Sequence, residues 1–208
     1  MPFYHEIYQK IHNRLPDVLD HENAKKFSVL LPIIDYQGET SILFQVRSHK
    51  LNTQPGEISL PGGGVEEIDT SDEMTALRET CEELGLNKED ITIIGQLDTV
   101  VTPFATIIKP FVGIIDDYQK IKPNKNEVEE VFYVPLKYFL ENEPDTYFIQ
   151  LEVKPENNFP FHLIPQGKYY NWRIGTYPEH FYHYDGKIIW GLTARIVRHF
   201  IQLLKDSV

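Results

Sequence analysis

Residues 75–86 read TALRETCEELGL, which sets Glu79, Glu82 and Glu83 beside Arg78 and just ahead of Gly85. Wound as a helix over 72–84 at about 100° per residue, the segment gathers Met74, Leu77, Cys81 and Leu84 into one sector. The glutamates fall on the opposite side at spacings of three and four residues, where like charges repel and mildly destabilise a helix. A solvated acidic face is the bland account of such a trio. The adjoining sequence favours another. Leu60–Gly64 reads LPGGG, and its glycines permit tight turning and close approach of a ligand to the backbone. Clustered carboxylate oxygens suit Mg²⁺ or Mn²⁺, hard cations that commonly bridge protein carboxylates and a substrate phosphate. Such an ion neutralises phosphoryl charge and makes a bound water more acidic.

Outward from this segment, the chain has 208 residues, 41% of them hydrophobic and 25% charged, enough for one domain with a packed core. Its formal charge of -11 argues against a general nucleic-acid surface, because phosphate backbones are held mainly by Lys and Arg. An anionic substrate would need a local basic cluster or bridging cations. Cys81 is the single cysteine, which excludes an intramolecular disulfide and a cysteine-built zinc site and fits a reducing compartment. The opening MPFYHEIYQKIHNRLP has no uninterrupted apolar run of the secretory kind, and no stretch approaches a membrane span. A cytoplasmic protein is therefore expected.

Phe3, Ile7, Ile11 and Leu15 form an apolar stripe that predicts an amphipathic helix ending before Pro16. It is expected to pack as an extension over residues 1–25, ahead of a main domain at 26–208. Strands are expected at 26–35 and 41–47 around the turn YQGE, and within 91–102, 107–116 and 127–135. Residues 48–70 are too long for a plain connection and read as a functional loop. The aromatic-rich region 145–189 reads as short strands with a long loop. The closing LTARIVRHFIQLLK predicts a helix with Leu192, Ile196, Phe200 and Leu203 or Leu204 on its apolar face.

The run Arg78-Glu79-Thr80-Cys81-Glu82-Glu83-Leu84-Gly85-Leu86 resembles the second half of the Nudix box, G-x5-E-x7-R-E-U-x-E-E-x-G-U with U a bulky apolar residue, and departs from it at Thr80. Eight residues before Arg78 stands Thr70, so the choice among Glu66, Glu67 and Asp69 for the place of the first glutamate stays open. Arg47-Ser48, Leu51 and QPGEISLPGG at 54–63 resemble the additional signature of the coenzyme A pyrophosphatase branch. PNKNEVEEVFYVPLKYFL from Pro123 and IWGLTARIV from Ile189 are similar to that branch too.

The resemblance implies an α+β fold, a mixed β-sheet sandwiched between α-helices, with the box forming a loop, a helix and a second loop. It implies Glu79, Glu82 and Glu83 as ligands of Mg²⁺ or Mn²⁺, with the Gly63 carbonyl a weaker one, and Arg78 orienting the acids through an ion pair. Glu82, Glu83 and Glu127 are the candidates to receive a proton from the attacking water. Arg47, Ser48, Lys50 and Gly62 are the candidate substrate contacts, a surface ion pair being an equal reading for Arg47. The implied activity is hydrolysis of coenzyme A or acyl-coenzyme A to 3′,5′-ADP and 4′-phosphopantetheine or its acyl form. ADP-ribose, a dinucleotide polyphosphate or an oxidised nucleotide are rival substrates. A non-catalytic nucleotide-binding module is the rival of another class. The expected partner is a small nucleotide diphosphate, with no nucleic acid and no membrane, and a homodimer is left open.

Overall fold

The computed structural model describes residues 3–206. Helix α1 (Phe3–Ile11) buries none of its residues, and Phe3, Ile7, Ile11 and Leu15 are all exposed. The helix forms, but the expected packing of its stripe does not occur. Residues 1 and 2 of the expected extension lie outside the described residues.

Strand β1 (Lys25–Tyr36) turns into β2 (Glu39–Arg47) through Gln37 and Gly38. Both have positive φ, 55° and 87°, as a two-residue hairpin loop requires, and Asp35 Oδ1 accepts the Gly38 N–H at 2.7 Å. After the signature loop come two short strands, β3 (Ile58–Ser59) and β4 (Gly62–Gly64), and then helix α2 (Asp72–Leu84). Strands β5 (Ile91–Gln96), β6 (Val100–Thr102), β7 (Thr106–Ile115) and β8 (Val128–Pro135) follow. Helix α3 (Leu136–Glu141) leads into β9 (Asp145–Leu151), and after a long connection β10 (Gly175–Tyr184), β11 (Lys187–Trp190) and α4 (Gly191–Asp206) close the chain.

The main sheet runs β3-β2-β1-β7-β5, with β4 added beside β1, β6 beside β7 and β8 beside β2. It is mixed: β1 and β7 are parallel, and the other pairings are antiparallel. Strand alternation sends Leu30, Ile34, Leu43, Phe111 and Ile115 to one face, against Ala76 and Leu84 of α2. Leu31, Ile42, Phe44, Val112 and Val134 go to the other, against Phe139 of α3 and Ile196, Val197 and Phe200 of α4. The sheet is thus sandwiched between helices, and α1 contributes to neither core cluster. On α4 the buried set is Thr193, Ala194, Ile196, Val197, Phe200 and Ile201; the expected Leu192, Leu203 and Leu204 are exposed. Helical spacing located the stripe but not its width, and small residues next to Ile196 and Val197 allow the closer approach. Strands β9, β10 and β11 form a separate antiparallel sheet. No helix among the described residues is long and apolar enough to cross a membrane.

Candidate active site

Helix α2 is set between two firm ends. Ser71, extended at φ -160°, accepts the Met74 N–H on its side chain at the N-terminus. Gly85 closes the helix in the left-handed conformation at φ 66°, its N–H bonded to the Cys81 carbonyl. A side chain at Gly85 would also strike the Lys122 carbonyl. That contact brings the chain before β8 onto the end of the helix, where Lys122 N–H bonds the Leu84 carbonyl at 2.8 Å and Asn124 N–H the Glu83 carbonyl at 2.9 Å. Asn124 Nδ2 in turn donates to Glu127 Oε2 at 3.1 Å. Glu127 is thereby drawn to the end of α2 that carries the box glutamates.

The buried face of α2 is rolled away from the sector that hydrophobicity singles out, of which Leu84 is buried and Leu77 and Cys81 pack partly buried against the core. Thr75, Ala76, Thr80, Glu83 and Leu84 are buried, and Glu83 is only 6% exposed. The expectation that all three glutamates lie opposite the buried side is corrected for Glu83. The polar members pay their own desolvation through bonds: Thr80 Oγ1 donates to the Ala76 carbonyl at 2.6 Å, and Glu83 Oε2 accepts the Gly62 N–H at 2.9 Å.

Burial drives the Glu83 carboxyl up to about 7, with the Glu79 charge adding to the shift, while the Gly62 amide, the Gln45 side chain and Arg47 pull the other way. Gln45 lies wholly buried, yet neither of its polar atoms reaches hydrogen-bond geometry. Glu79 is also raised, chiefly by burial, against the lowering effect of Arg78, with Glu82 and Glu127 contributing further negative charge.

Arg78 organises the rest. Its Nε and Nη2 bind the two oxygens of Asp69 at 2.9 and 3.0 Å, a bidentate pair. Its Nη1 reaches Glu79 at 2.9 Å and Glu82 at 3.4 Å, and Nη2 also donates to the Gly64 carbonyl at 3.3 Å. Asp69 accepts further bonds from Thr75 Oγ1 and the Glu66 N–H, each at 2.9 Å. Hydrogen bonds from Arg78 hold its carboxyl well below the usual range. Asp69, among Glu66, Glu67 and Asp69, is therefore the acid that meets Arg78. The available signal was its place six residues after Gly63, the box spacing counted from the glycine; the extra residue lies between Asp69 and Arg78.

Gly63 lies directly under the Glu79 carboxylate, and a Cβ there would collide with it. The acids of α2 thus sit on the glycine strand itself, Glu79 over Gly63 and Glu83 bonded to Gly62. Among the described residues no three carboxylate, His or Cys side chains converge at metal-ligand distance; Glu79 and Glu82 turn to Arg78 instead. The set nevertheless suits a hard divalent ion. Its donors are all oxygens, Glu79 and Glu83 are held near one another at raised pKa, and Glu82, 55% exposed at its side chain, is held toward them by Arg78.

The candidate substrate contacts are arranged around the loop after β2. Arg47 donates from Nε and Nη2 to the Thr53 carbonyl at 3.4 and 3.3 Å, so it braces that loop. Ser48 is buried, its hydroxyl accepting the Lys50 N–H at 3.3 Å and its own N–H bonding the Glu127 carbonyl at 2.8 Å. Lys50 is exposed. Gly62 is engaged with Glu83.

This loop, helix and glycine-strand arrangement, held by an arginine amid carboxylates, agrees with the family comparison: residues 24–155 match the NUDIX domain. The chain belongs to the Nudix family, whose hydrolases generally use divalent metal ions. It is 39% identical over 151 residues to the peroxisomal coenzyme A diphosphatase NUDT7 of Mus musculus, a match covering 69% of this chain and 60% of that protein. It is 32% identical over 182 residues to the mitochondrial coenzyme A diphosphatase NUDT8 of Homo sapiens, covering 85% and 68%. Nudix hydrolase 3 of Caenorhabditis elegans is 30% identical over 201 residues, covering 95% and 80%. The first of these matches therefore spans less than two thirds of its relative. A solved C. elegans Ap4A hydrolase binary complex overlaps with a TM-score of 0.45 at 18% identity, covering 53% of this chain and 80% of that one.

Proposed function

We propose that the chain hydrolyses the diphosphate linkage of coenzyme A or an acyl-coenzyme A, releasing 3′,5′-ADP and 4′-phosphopantetheine or its acyl form, with Mg²⁺ or Mn²⁺. The observation that carries the reading is the seating of the α2 acids on the glycine strand, Glu79 over Gly63 and Glu83 on the Gly62 N–H. The upstream signature at 47–63 and the names of the two diphosphatase relatives favour coenzyme A over other diphosphates.

Glu79, Glu82 and Glu83 would hold the ion, with the Gly63 carbonyl beside them. When bound, the ion would neutralise the diphosphate and render a water nucleophilic. Arg78, tied to Asp69, fixes the direction in which Glu79 and Glu82 present their oxygens. The Gly62 amide orients Glu83. Glu127, placed by Asn124, offers a carboxylate for the water's proton, a role for which Glu82 and Glu83 compete. The single cysteine suits a reducing compartment, and cytoplasmic residence belongs to this proposal; cell fractionation reads it directly.

The test incubates wild type and Glu83→Gln with Mg²⁺ or Mn²⁺ and equal concentrations of coenzyme A, ADP-ribose, diadenosine tetraphosphate and 8-oxo-dGTP. Preferential release of 3′,5′-ADP by wild type, reduced on the order of 100-fold or more in the variant, is expected. Preference for another substrate would discard coenzyme A, and metal-dependent turnover of none would favour the non-catalytic module.

A further inference from the structure

Strands β1 and β2 part as they run away from their turn. Pairing between them ends at Ile33 and Ile42; beyond that point β4 takes the edge of β1 at 27–29, and β3 takes the edge of β2 at 45–46. Leu60 and Pro61 cross from β3 to β4, and the Pro61 carbonyl accepts the Leu30 N–H at 2.8 Å. Glu83 of α2 comes down on this junction, on the Gly62 N–H.

Polar side chains without a bond collect on the same face. Strand alternation puts Ser28 on the face of Leu30 and Gln45 on the face of Leu43, both of which pack toward α2. The pairings agree. Ser28 lies beside Gly63, the glycine under Glu79, and Gln45 lies between Ser59 and Val131, which packs on the α2 side. Ser28 and Gln45 are fully buried. Among the described residues, the Ser28 and Ser59 hydroxyls and both polar atoms of the Gln45 amide lack a hydrogen-bond partner. Burying an amide unbonded is costly, and an apolar side chain would fill that place in β2 without the cost.

The Gln45 amide acts on Glu83. Burial pushes the Glu83 carboxyl up, and the Gly62 amide and then the Gln45 side chain oppose it. The Gly62 N–H takes one carboxylate oxygen, Oε2. Arg47, whose charge also acts on Glu83, gives its Nε and Nη2 to the Thr53 carbonyl. Gln45 is thus a neutral donor with nothing to bond, beside a buried carboxylate that is held at one oxygen. Ser59 stands directly across from it, and side chains so paired start from Cβ atoms about 4.5–5.5 Å apart. An amide turned with Nε2 to Glu83 and Oε1 to the Ser59 hydroxyl satisfies the unbonded atoms of both residues in one move.

We propose that Gln45 is a positioning residue for the divalent-ion site: its amide holds the second oxygen of Glu83, backed by the Ser59 hydroxyl, and fixes how Glu83 is presented to the ion. This rests on the reading of Glu83 as a metal ligand. In this role Gln45 touches neither substrate nor ion and acts through Glu83. Loss of a hydrogen bond that orients a ligand typically lowers metal affinity about 10–100-fold.

The experiment measures Mn²⁺ affinity by calorimetry, without substrate, for wild type, Gln45→Met, Glu83→Gln and the double variant. Met fills nearly the volume of Gln and offers no N–H. Gln45→Met should weaken Mn²⁺ binding about tenfold or more, and should add nothing in the Glu83→Gln background, where the carboxylate it serves is gone. A second readout leaves residue 45 intact. In ¹⁵N-labelled wild type, the side-chain amide signals of Gln45, assigned through its backbone, should move on addition of Mg²⁺ and stay in place in Glu83→Gln. Gln45 signals that Mg²⁺ leaves unmoved in wild type, or an equal loss of Mn²⁺ affinity in both backgrounds, overturn the role. Mn²⁺ binding that Glu83→Gln weakens and Gln45→Met does not, as a buried amide kept only for packing predicts, leaves the hydrolase reading intact and removes Gln45 from it. Wild type that binds no Mn²⁺ sinks the hydrolase reading and this role together.

Discussion

Helix α1 carries a clean apolar stripe and buries nothing, whereas α2 carries a mixed face and buries Thr75, Ala76, Thr80, Glu83 and Leu84. Amphipathic periodicity says which side of a helix would gain from being covered; it does not say that a partner surface exists. Among the described residues no partner surface meets the stripe of α1. For α2 the sheet is there, but the helix is rolled so that Glu83 meets Gly62 and Thr80 lies in the interior. The turn is governed by polar bonds as much as by leucines, because a buried carboxylate must find a donor.

The most damaging test of this contrast is Leu84→Ala. Leu84 is fully buried against the sheet, so the variant should lose about 2–5 kcal/mol of unfolding free energy, measured by urea denaturation. A loss under about 1 kcal/mol would mean α2 is no better anchored than α1.

A more discriminating test concerns Glu83 in chelator-treated protein. Its carboxyl lies at about 7 in the fold against an ordinary 4.5. The folded state thus holds the proton more tightly, and the stabilisation this supplies is complete below pH 4.5 and lost as pH rises through 7. At 1.36 kcal/mol per pK unit the change amounts to about 3 kcal/mol. Glu83→Gln, which cannot ionise, should flatten that part of the stability profile and gain on wild type between pH 5 and 8. Parallel profiles for the two proteins would show that Glu83 is not held as described.

The smallest effect is expected at α1. Ile7→Ser should change stability by less than about 0.5 kcal/mol, as for other exposed positions. A larger loss in the same denaturation assay would reveal a packing partner for the stripe and close the gap between the two helices.

Much of the fold was legible. The expected helix at 72–84 matches α2, the turn YQGE joins β1 to β2, and strands lie within each expected span of the main sheet, because turn residues and apolar runs are local signals. Asp69 was less legible: its spacing from Gly63 suits the box, its spacing to Arg78 does not, and only the folded loop shows that Arg78 reaches it. Ser48 and Arg47 were read as substrate contacts from a motif. In the fold, the Ser48 hydroxyl accepts a loop N–H and Arg47 donates to a loop carbonyl, interactions that no linear spacing announces.

The sequence by itself determined the family, the α2 boundaries and the company of Arg78, Glu79, Glu82 and Glu83, since these depend on neighbours within a few turns of chain. Tertiary structure alone decided that Glu83 is buried on Gly62, that Glu79 lies over Gly63, and that Gln45 is buried on the sheet face that Glu83 meets. Those juxtapositions join residues about 15 to 40 positions apart. They arise from strand register and from the way helices roll to satisfy buried polar groups, and neither quantity is written in local periodicity.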